Sequence, residues 1–95
     1  MSAEMDAAVA ALNEKVTGFA GSAKFVVPGE GSIMIDENGA REGDEDAAVT
    51  LTADAETFSG ILDGSVDATA AFMTGKLKIE GDMGIAMKLQ SVLNR

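Results

Sequence analysis

The side chains that most often catalyse reactions in proteins are missing from this sequence. It contains no His and no Cys, which removes the commonest general base, the thiolate nucleophile and the usual ligands of zinc. Only a Ser–Lys pairing remains as a conventional nucleophile and base. Nearly all of the sixteen acidic residues sit at predicted helix caps, turns or solvated faces, where no apolar surrounding favours the protonated form. The sequence therefore predicts no catalytic residue and no metal site.

Three short motifs resemble known binding loops but lack a required residue. The GK dipeptide at 75–76 would suit a P-loop, but Leu77 follows where Ser or Thr is needed. The acidic segment 36–46 has the composition of a calcium loop, but Ala47 stands where the bidentate Glu belongs. The GxxG sequence at 81–84 matches the loop of KH-type RNA-binding domains, but it carries an aspartate in an acidic chain. We interpret these segments as turns and solvated loops.

The formal charge of −9 at neutral pH excludes one class of partner and weakens another. Proteins that bind nucleic acids carry clustered Lys and Arg, which this acidic chain lacks, so we expect no nucleic-acid binding. An anionic bilayer repels such a chain, so we expect at most transient membrane contact. The charge is uneven: segment 1–75 carries fourteen acidic and three basic residues, whereas segment 76–95 carries two acidic and four basic ones. An anionic head group would therefore prefer the C-terminal end.

Length and composition place the chain among small folded domains. Its 95 residues suffice for one domain, which we take to span 1–95, and 46% of them are hydrophobic. Aromatic residues make up only 4% of the chain, so the core must be aliphatic. The N-terminus lacks the basic region of a secretory signal, and no apolar run approaches the ~20 residues of a membrane span. These features predict a cytoplasmic protein.

The spacing of apolar residues predicts nine secondary-structure elements. Strands are predicted where apolar residues alternate, and Asn38-Gly39 is a strong signal for a tight turn between two of them. Asp54, Asp67 and Asp82 are typical N-cap residues and are expected to begin three of the helices. The predicted strands cover 23–27, 33–35, 40–42, 49–52 and 76–80, and Gly81 is expected to break the last of them. The predicted helices cover 5–16, ending at Gly18, then 54–64, 68–74 and 82–93.

The last predicted helix is more apolar than a surface helix should be. Its polar residues form one narrow stripe of Gly84, Lys88, Ser91 and Arg95, and most of the remaining circumference is apolar. This helix is therefore either deeply covered or lies beside an apolar guest that the chain itself does not supply.

Sequence features of a known family lie in the C-terminal third of the chain. They are FMTGKLKI at 72–79, GDMG at 81–84 and AMKL at 86–89. Over 61–93 the chain therefore resembles the sterol carrier protein type 2 family, the small lipid-transfer domains. The earlier half agrees only in the order of its elements, and an aliphatic residue stands where many members carry Trp in the second strand.

The resemblance implies an α+β fold, in which helices cover one face of a five-stranded, mostly antiparallel sheet and an apolar tunnel lies between the sheet and the helices. Members of this family bind fatty acids, acyl-CoA, phospholipids or sterols. The resemblance thus implies a long-chain lipid ligand, with fatty acids or fatty acyl-CoA favoured, and no cofactor. We expect the tunnel to be lined by Phe58, Leu62, Phe72, Met73, Leu77, Met83, Ala86, Leu89, Val92 and Leu93.

Two further interpretations stay open at this point. Lys76, Lys78 and Lys88 either lie near a lipid head group or are ordinary solvated lysines. The chain either binds and transfers a lipid without catalysis, which the sequence favours, or docks through its last helix on a lipid-metabolising enzyme and presents or receives its substrate. An enzyme acting on a bound acyl ester is disfavoured by the missing His and Cys.

Overall fold

The computed structural model describes residues 3–16 and 20–93 of the chain. Within these ranges it contains five strands and four helices in the predicted order. The strands are β1 (Ala23–Val27), β2 (Gly31–Asp36), β3 (Gly39–Glu42), β4 (Val49–Ala53) and β5 (Leu77–Gly81). The helices are α1 (Ala3–Lys15), α2 (Ala55–Asp63), α3 (Ala68–Met73) and α4 (Met83–Leu93).

The strands form one mixed sheet in the order β3-β2-β1-β4-β5. β1 and β4 are parallel, and the other neighbouring pairs are antiparallel. The registers align Ile33, Phe25, Leu51 and Ile79 in one row across four strands. The predicted α+β class, with its mostly antiparallel five-stranded sheet, is therefore confirmed.

The parallel pairing decides which loops meet at one end of the sheet. Because β1 and β4 run in the same direction, the turn after β1 and the start of α2 leave the sheet at the same end. β5 begins at this end, since Leu77 pairs with Ala53. The turn between β2 and β3 lies at the opposite end, as does Glu80, which pairs with Thr50 near the start of β4.

The inner face of the sheet and the helices share one hydrophobic core. The inward residues of β1 and β4 are almost fully buried, in the alternation that the sequence predicts. Phe58 of α2 packs its ring against that of Phe25, with 4.3 Å between the ring centroids. Leu12 of α1 and Leu89 of α4 are buried in the same cluster. This burial of apolar surface is the main force that holds the helices on the sheet.

An amide side chain fastens α1 to the edge strand β3. Asn13 Oδ1 accepts a hydrogen bond from the Ala40 N–H at 2.7 Å, and its Nδ2 donates to the Ala40 carbonyl at 2.9 Å. The amide thereby satisfies backbone groups at an exposed edge, as a further strand would. This contact fixes α1 relative to the hairpin of β2 and β3.

Ion pairs hold the acidic segment around β3. Arg41 contacts Asp36 at 2.7 Å and Glu45 at 3.5 Å, and Lys24 contacts Asp44 at 2.9 Å. The hydrogen bond from Arg41 is the main reason that the pKa of Asp36 lies below its ordinary value. Within 3–16 and 20–93, no three or more His, Cys, Asp or Glu side chains are grouped so that they could hold a metal ion.

Aspartates begin three helices, as predicted from their position. Asp54 Oδ1 accepts a hydrogen bond from the Thr57 N–H at 2.7 Å at the start of α2. Asp67 and Asp82 accept comparable bonds at the starts of α3 and α4. Gly64 ends α2 with a φ of 86°, a conformation that favours glycine.

Several element boundaries differ from the prediction by one or two residues, and two of these differences lie at predicted stops. α3 ends at Met73, because Thr74 leaves the helix as its C-cap. Gly81 does not break the fifth strand, since it pairs with Val49 as the last residue of β5. The predicted helix end at Gly18 lies outside the described residues. No helix in the described part of the chain is long and apolar enough to cross a bilayer.

Substitution of Gly81 tests the close approach at the end of β5. Gly81 has a φ of 113°, and a Cβ there would overlap the Ala48 carbonyl oxygen. Gly81→Ala should therefore lower the free energy of unfolding by about 3 kcal/mol. Gly75→Ala is the control, because Gly75 has a φ of 81° but a Cβ there would meet nothing within 4 Å. It should lose only about 1 kcal/mol, and equal losses in chemical denaturation would contradict the packing described.

The cap of α2 predicts a pH dependence of stability. Hydrogen bonds from the Thr57 N–H and hydroxyl hold the pKa of Asp54 below its ordinary value, and Lys76 adds an attraction. A lowered pKa adds stability above the unfolded-state value of about 3.9, and this stability is lost as the pH falls through the folded-state value. Asp54→Ala should therefore lower the melting temperature at neutral pH, and the difference from the native chain should shrink as the pH falls through the folded-state pKa of Asp54. A constant difference across thermal melts at all pH values would show that the charge of the cap is irrelevant.

Candidate functional site

A cavity of about 550 Å³ lies between α1 and α2, beside the end of β1. Its volume is within the range of about 300–1,000 Å³ that is typical of sites for small ligands. The cavity is partly open to solvent, and most of its lining is apolar. Among the described residues, the lining is formed by Ala7, Ala8 and Ala11 of α1, Val27 and Glu30 around the end of β1, and Ala55, Glu56, Phe58, Ser59, Leu62 and Asp63 of α2.

α2 presents two stripes of side chains to this cavity. The inner stripe is apolar, and in it Phe58 is buried and Leu62 is half-buried. The outer stripe lies one residue further along the helix and is exposed to solvent. Its members are Glu56, Ser59 and Asp63. A molecule in the cavity would therefore meet hydrocarbon inside and polar groups at the opening.

The space exists because α1 carries small residues where it lines the cavity. Ala7, Ala8 and Ala11 supply only methyl groups to this wall. In the same helix, Leu12 and Val16 are fully buried and fill the core. The small side chains of α1 thus leave space between the two helices.

Carboxylates give the opening a negative charge. Glu56 and Asp63 are exposed and Glu30 is half-buried, and the described lining includes no Lys or Arg. Hydrogen bonds from the Ser65 hydroxyl and N–H hold the pKa of Asp63 below its ordinary value. The described part of the opening therefore carries three acidic side chains. Apart from these carboxylates, the lining residues that the structure describes offer one hydroxyl, that of Ser59.

Two of the predicted lining residues, Phe58 and Leu62, lie at this cavity. The other eight lie elsewhere, so their contact with a lipid stays a prediction. Val92 is half-buried against the core. The residues buried in the core are Leu77, Ala86, Leu89 and Leu93. The exposed ones are Phe72, Met73 and Met83.

α4 buries only one of its apolar faces. Ala86, Leu89 and Leu93 are buried in the shared core. Met83 and Met87 are exposed, with 46% and 66% of their surface accessible. The apolar excess of α4 that the sequence shows therefore lies on the surface and does not contribute to the described lining of the cavity.

The three lysines considered for a head group are all exposed. Lys76 precedes β5 at the cavity end of the sheet and acts electrostatically on Asp54. Lys78 pairs with Thr52 in the sheet, and Lys88 lies on α4. None of the three belongs to the lining that the structure describes.

Sequence reasoning missed the alanines of α1 and the polar stripe of α2. An excess of large apolar residues does not mark this cavity, because the cavity arises where side chains are too small to fill the space. The segment 7–11, with four alanines in five residues, was the available signal. Alanine is also the best helix former, so the same segment is equally typical of an ordinary helix.

Comparison with known proteins gives one family for the chain. The model of the SCP-2 sterol transfer family matches residues 1–94. Hydroxysteroid dehydrogenase-like protein 2 of Xenopus laevis is 37% identical over 90 residues, which cover 86% of this chain and 22% of that protein. Sterol carrier protein 2 of Rattus norvegicus is 39% identical over 64 residues, which cover 67% of this chain and 11% of that protein. The chain thus spans less than a quarter of the length of these relatives.

A solved structure shares the fold. The solution NMR structure of sterol carrier protein-2 from Aedes aegypti, in complex with palmitate, matches with a TM-score of 0.76. The match covers 98% of this chain and 96% of that one at 20% sequence identity. The fold agrees with the family match over almost the whole sequence, and the chain therefore belongs to the SCP-2 sterol transfer family.

Proposed function

We propose that this chain binds the hydrocarbon part of a long-chain lipid in the cavity between α1 and α2 and releases it unchanged. The observation that carries the proposal is the mostly apolar cavity of about 550 Å³. The family and the palmitate bound to the Aedes aegypti relative support a lipid over other apolar ligands. Fatty acids and fatty acyl-CoA are the class that the sequence favours, with sterols and phospholipids as alternatives.

The energetics suit reversible binding. Each buried methylene contributes about 0.8 kcal/mol, so a palmitoyl chain offers roughly 12 kcal/mol before the cost of its immobilisation. A bilayer offers about the same gain per methylene. A protein of this kind exchanges its ligand with membranes instead of retaining it, which is what a carrier requires.

The proposal does not include catalysis. The described lining combines carboxylates with one hydroxyl, and the sequence contains no His and no Cys. We expect a lipid-holding domain over residues 1–95 that needs no cofactor, and we place it in the cytoplasm as part of the proposal. Incubation with an acyl-CoA, followed by assay for free CoA, tests the absence of hydrolysis.

Filling the cavity from α1 tests the proposed site. Ala11→Leu should weaken palmitate binding about tenfold or more, because the larger side chain occupies volume that the ligand needs. Ala10→Leu is the matched control, since Ala10 is exposed on the same helix and does not line the cavity. The affinity is measured by displacement of a fluorescent fatty acid, with melting temperatures as a check on folding. Unchanged affinity in a folded Ala11→Leu variant would rule out this cavity.

A second pair of variants tests the lining predicted on α4. If α4 contacts the lipid, Met83→Glu weakens palmitate binding far more than Lys88→Glu does, because it places a charge in an apolar contact. Both residues are exposed, so we expect both variants to fold. Equal effects on the affinity would remove Met83 from the lining.

The apolar side chains exposed on α3 and α4 favour a second function, docking on a protein partner. Phe72, Met73, Met83 and Met87 leave between 39% and 79% of their surface accessible. The chain also covers only 22% of a longer relative with a dehydrogenase-like name, which supports a lipid-metabolising enzyme as the partner. Native mass spectrometry separates the two functions. A complex or dimer without a lipid adduct favours docking, whereas a monomer with a lipid adduct favours the carrier.

A further inference from the structure

We infer that the edge strand β5 pairs with β5 of a second copy of this chain, so that the two sheets join into one. The surface involved consists of β5 and the exposed apolar residues next to its ends. This inference goes beyond lipid binding, because β5, α3 and α4 contribute no residue to the described lining of the cavity. The inference and the proposed function can therefore fail separately.

The two edges of the sheet differ in what covers their backbone. At β3, the side chain of Asn13 bonds to the N–H and the carbonyl of Ala40, so part of this edge is occupied. β5 forms the other edge and pairs with β4 on one side. In the part of the chain that the structure describes, no hydrogen bond joins the backbone of 77–81 to any element other than β4. Such an open edge can accept a further strand.

The ladder between β4 and β5 shows which backbone groups of β5 are free. In an antiparallel pair, residues that exchange hydrogen bonds with the neighbouring strand alternate with residues that do not. The Asp82 N–H donates to the Ala48 carbonyl at 2.9 Å, so the even-numbered residues of β5 are the ones that bond to β4. The N–H and C=O groups of the odd-numbered residues therefore point away from β4. These residues are Leu77, Ile79 and Gly81.

The charged residues of β5 are complementary to the same strand running in the opposite direction. Ile79 lies in the row of residues on the inner face of the sheet, so Lys78 and Glu80 project from the outer face, where both are exposed. When Ile79 lies opposite Ile79 of the second copy, Lys78 of each copy lies opposite Glu80 of the other. Opposite charges in these positions stabilise an antiparallel pair.

The same charges select one register. The free backbone groups can pair only when odd-numbered residues lie opposite odd-numbered residues, so the neighbouring registers differ by a shift of two. One such shift places Lys78 opposite Lys78 of the second copy, and the other places Glu80 opposite Glu80. Like charges directly opposite each other are destabilising. The register centred on Ile79 is therefore favoured, and its two-fold symmetry closes the assembly at a dimer.

Exposed apolar side chains lie next to both ends of β5. Phe72 and Met73 lie at the end of α3, shortly before β5, and Met83 begins α4, just after it. Antiparallel pairing places the start of one β5 beside the end of the other, so it brings these apolar residues of the two copies to the same ends of the interface. A five-residue edge alone buries less than the ~800 Å² per partner of a standard interface, so we expect a weak dimer.

Sedimentation equilibrium measurements on the complete chain test the inference. We expect the native chain to pass from monomer to dimer between about 10 µM and about 1 mM, in about 0.15 M salt that screens its net charge of −9. Lys78→Glu and Glu80→Lys each replace opposite charges across the interface with like charges, and each should weaken the dimer about tenfold or more. Both residues are exposed, so we expect both variants to fold, and melting temperatures check this.

Combinations of these two changes test the register. An equimolar mixture of the Lys78→Glu chain and the Glu80→Lys chain restores opposite charges across the interface, so it should form a mixed dimer about as stable as the native one. A single chain with both changes should also dimerise, within about threefold of the native affinity. Glu37→Lys is the matched control, because it changes the net charge as Glu80→Lys does, at an exposed position near the other edge of the sheet. It should leave the dimer unchanged.

Three results overturn the inference and leave the proposed function standing. The first is a native chain that stays monomeric up to about 1 mM. The second is an equal response of the dimer to Glu80→Lys and Glu37→Lys, which would assign the effect to net charge. The third is a mixture of the two variants that forms no mixed dimer, which would assign self-association to another surface. Palmitate affinity is a separate measurement: Lys78→Glu should leave it unchanged, and a native chain that binds no lipid would refute the proposed function alone.

Discussion

A 95-residue chain has little folding free energy to offset the cost of an internal cavity, and this limit constrains the rest of the structure. If the cavity of about 550 Å³ were sealed and dry, its creation would cost roughly 13 kcal/mol at about 24 cal/mol per Å³. Small domains have only about 5–15 kcal/mol of stability in total. The space is therefore sustainable only because it is partly open to water or because a guest fills it.

The fold places this space where it disturbs the core least. Phe25, Ile33 and Leu51 are fully buried side by side in the middle of the sheet. The cavity lies at one end of the sheet, where the parallel pairing of β1 and β4 brings the start of α2 next to the turn after β1. The wall formed by α1 is held from outside the cavity, by the amide of Asn13 on the edge of β3. The wall formed by α2 is held by Phe58, which packs against Phe25 and also lines the cavity. A guest would therefore contact one of the side chains that hold α2 on the sheet.

Local sequence signals were sufficient for the elements of the fold. The alternation at 23–27, the turn at Asn38-Gly39 and the aspartate caps depend on a few neighbouring residues, and the structure confirms them. The parallel pairing of β1 with β4 depends on residues far apart in the chain, and the sequence analysis did not predict it. The family resemblance implied only a five-stranded, mostly antiparallel sheet. Even one-residue differences at Met73 and Gly81 have a physical cause, because helix and strand ends are decided by single hydrogen bonds.

The candidate site was much harder to predict, because composition reports which side chains are apolar but not where they point. Phe58 was found from its apolar type, and the structure places it both in the core and at the cavity. Met83 and Met87 are also apolar, but the structure places them at the surface. The sequence gives almost no indication that Ala8 and Ala11 line a cavity. Alanines that line a cavity look the same in a sequence as alanines of an ordinary helix, and only the packing opposite them differs. The negative charge of the opening likewise depends on the turn at Glu30 meeting α2 in space.

The most direct test of the account is a nuclear Overhauser measurement on the complete chain with a ¹³C-labelled palmitate chain. We expect contacts from the ligand methylenes to the methyl groups of Ala8, Ala11 and Leu62, between α1 and α2. Contacts confined to Met83 and Met87 on α4, with none to the alanines of α1, would contradict it.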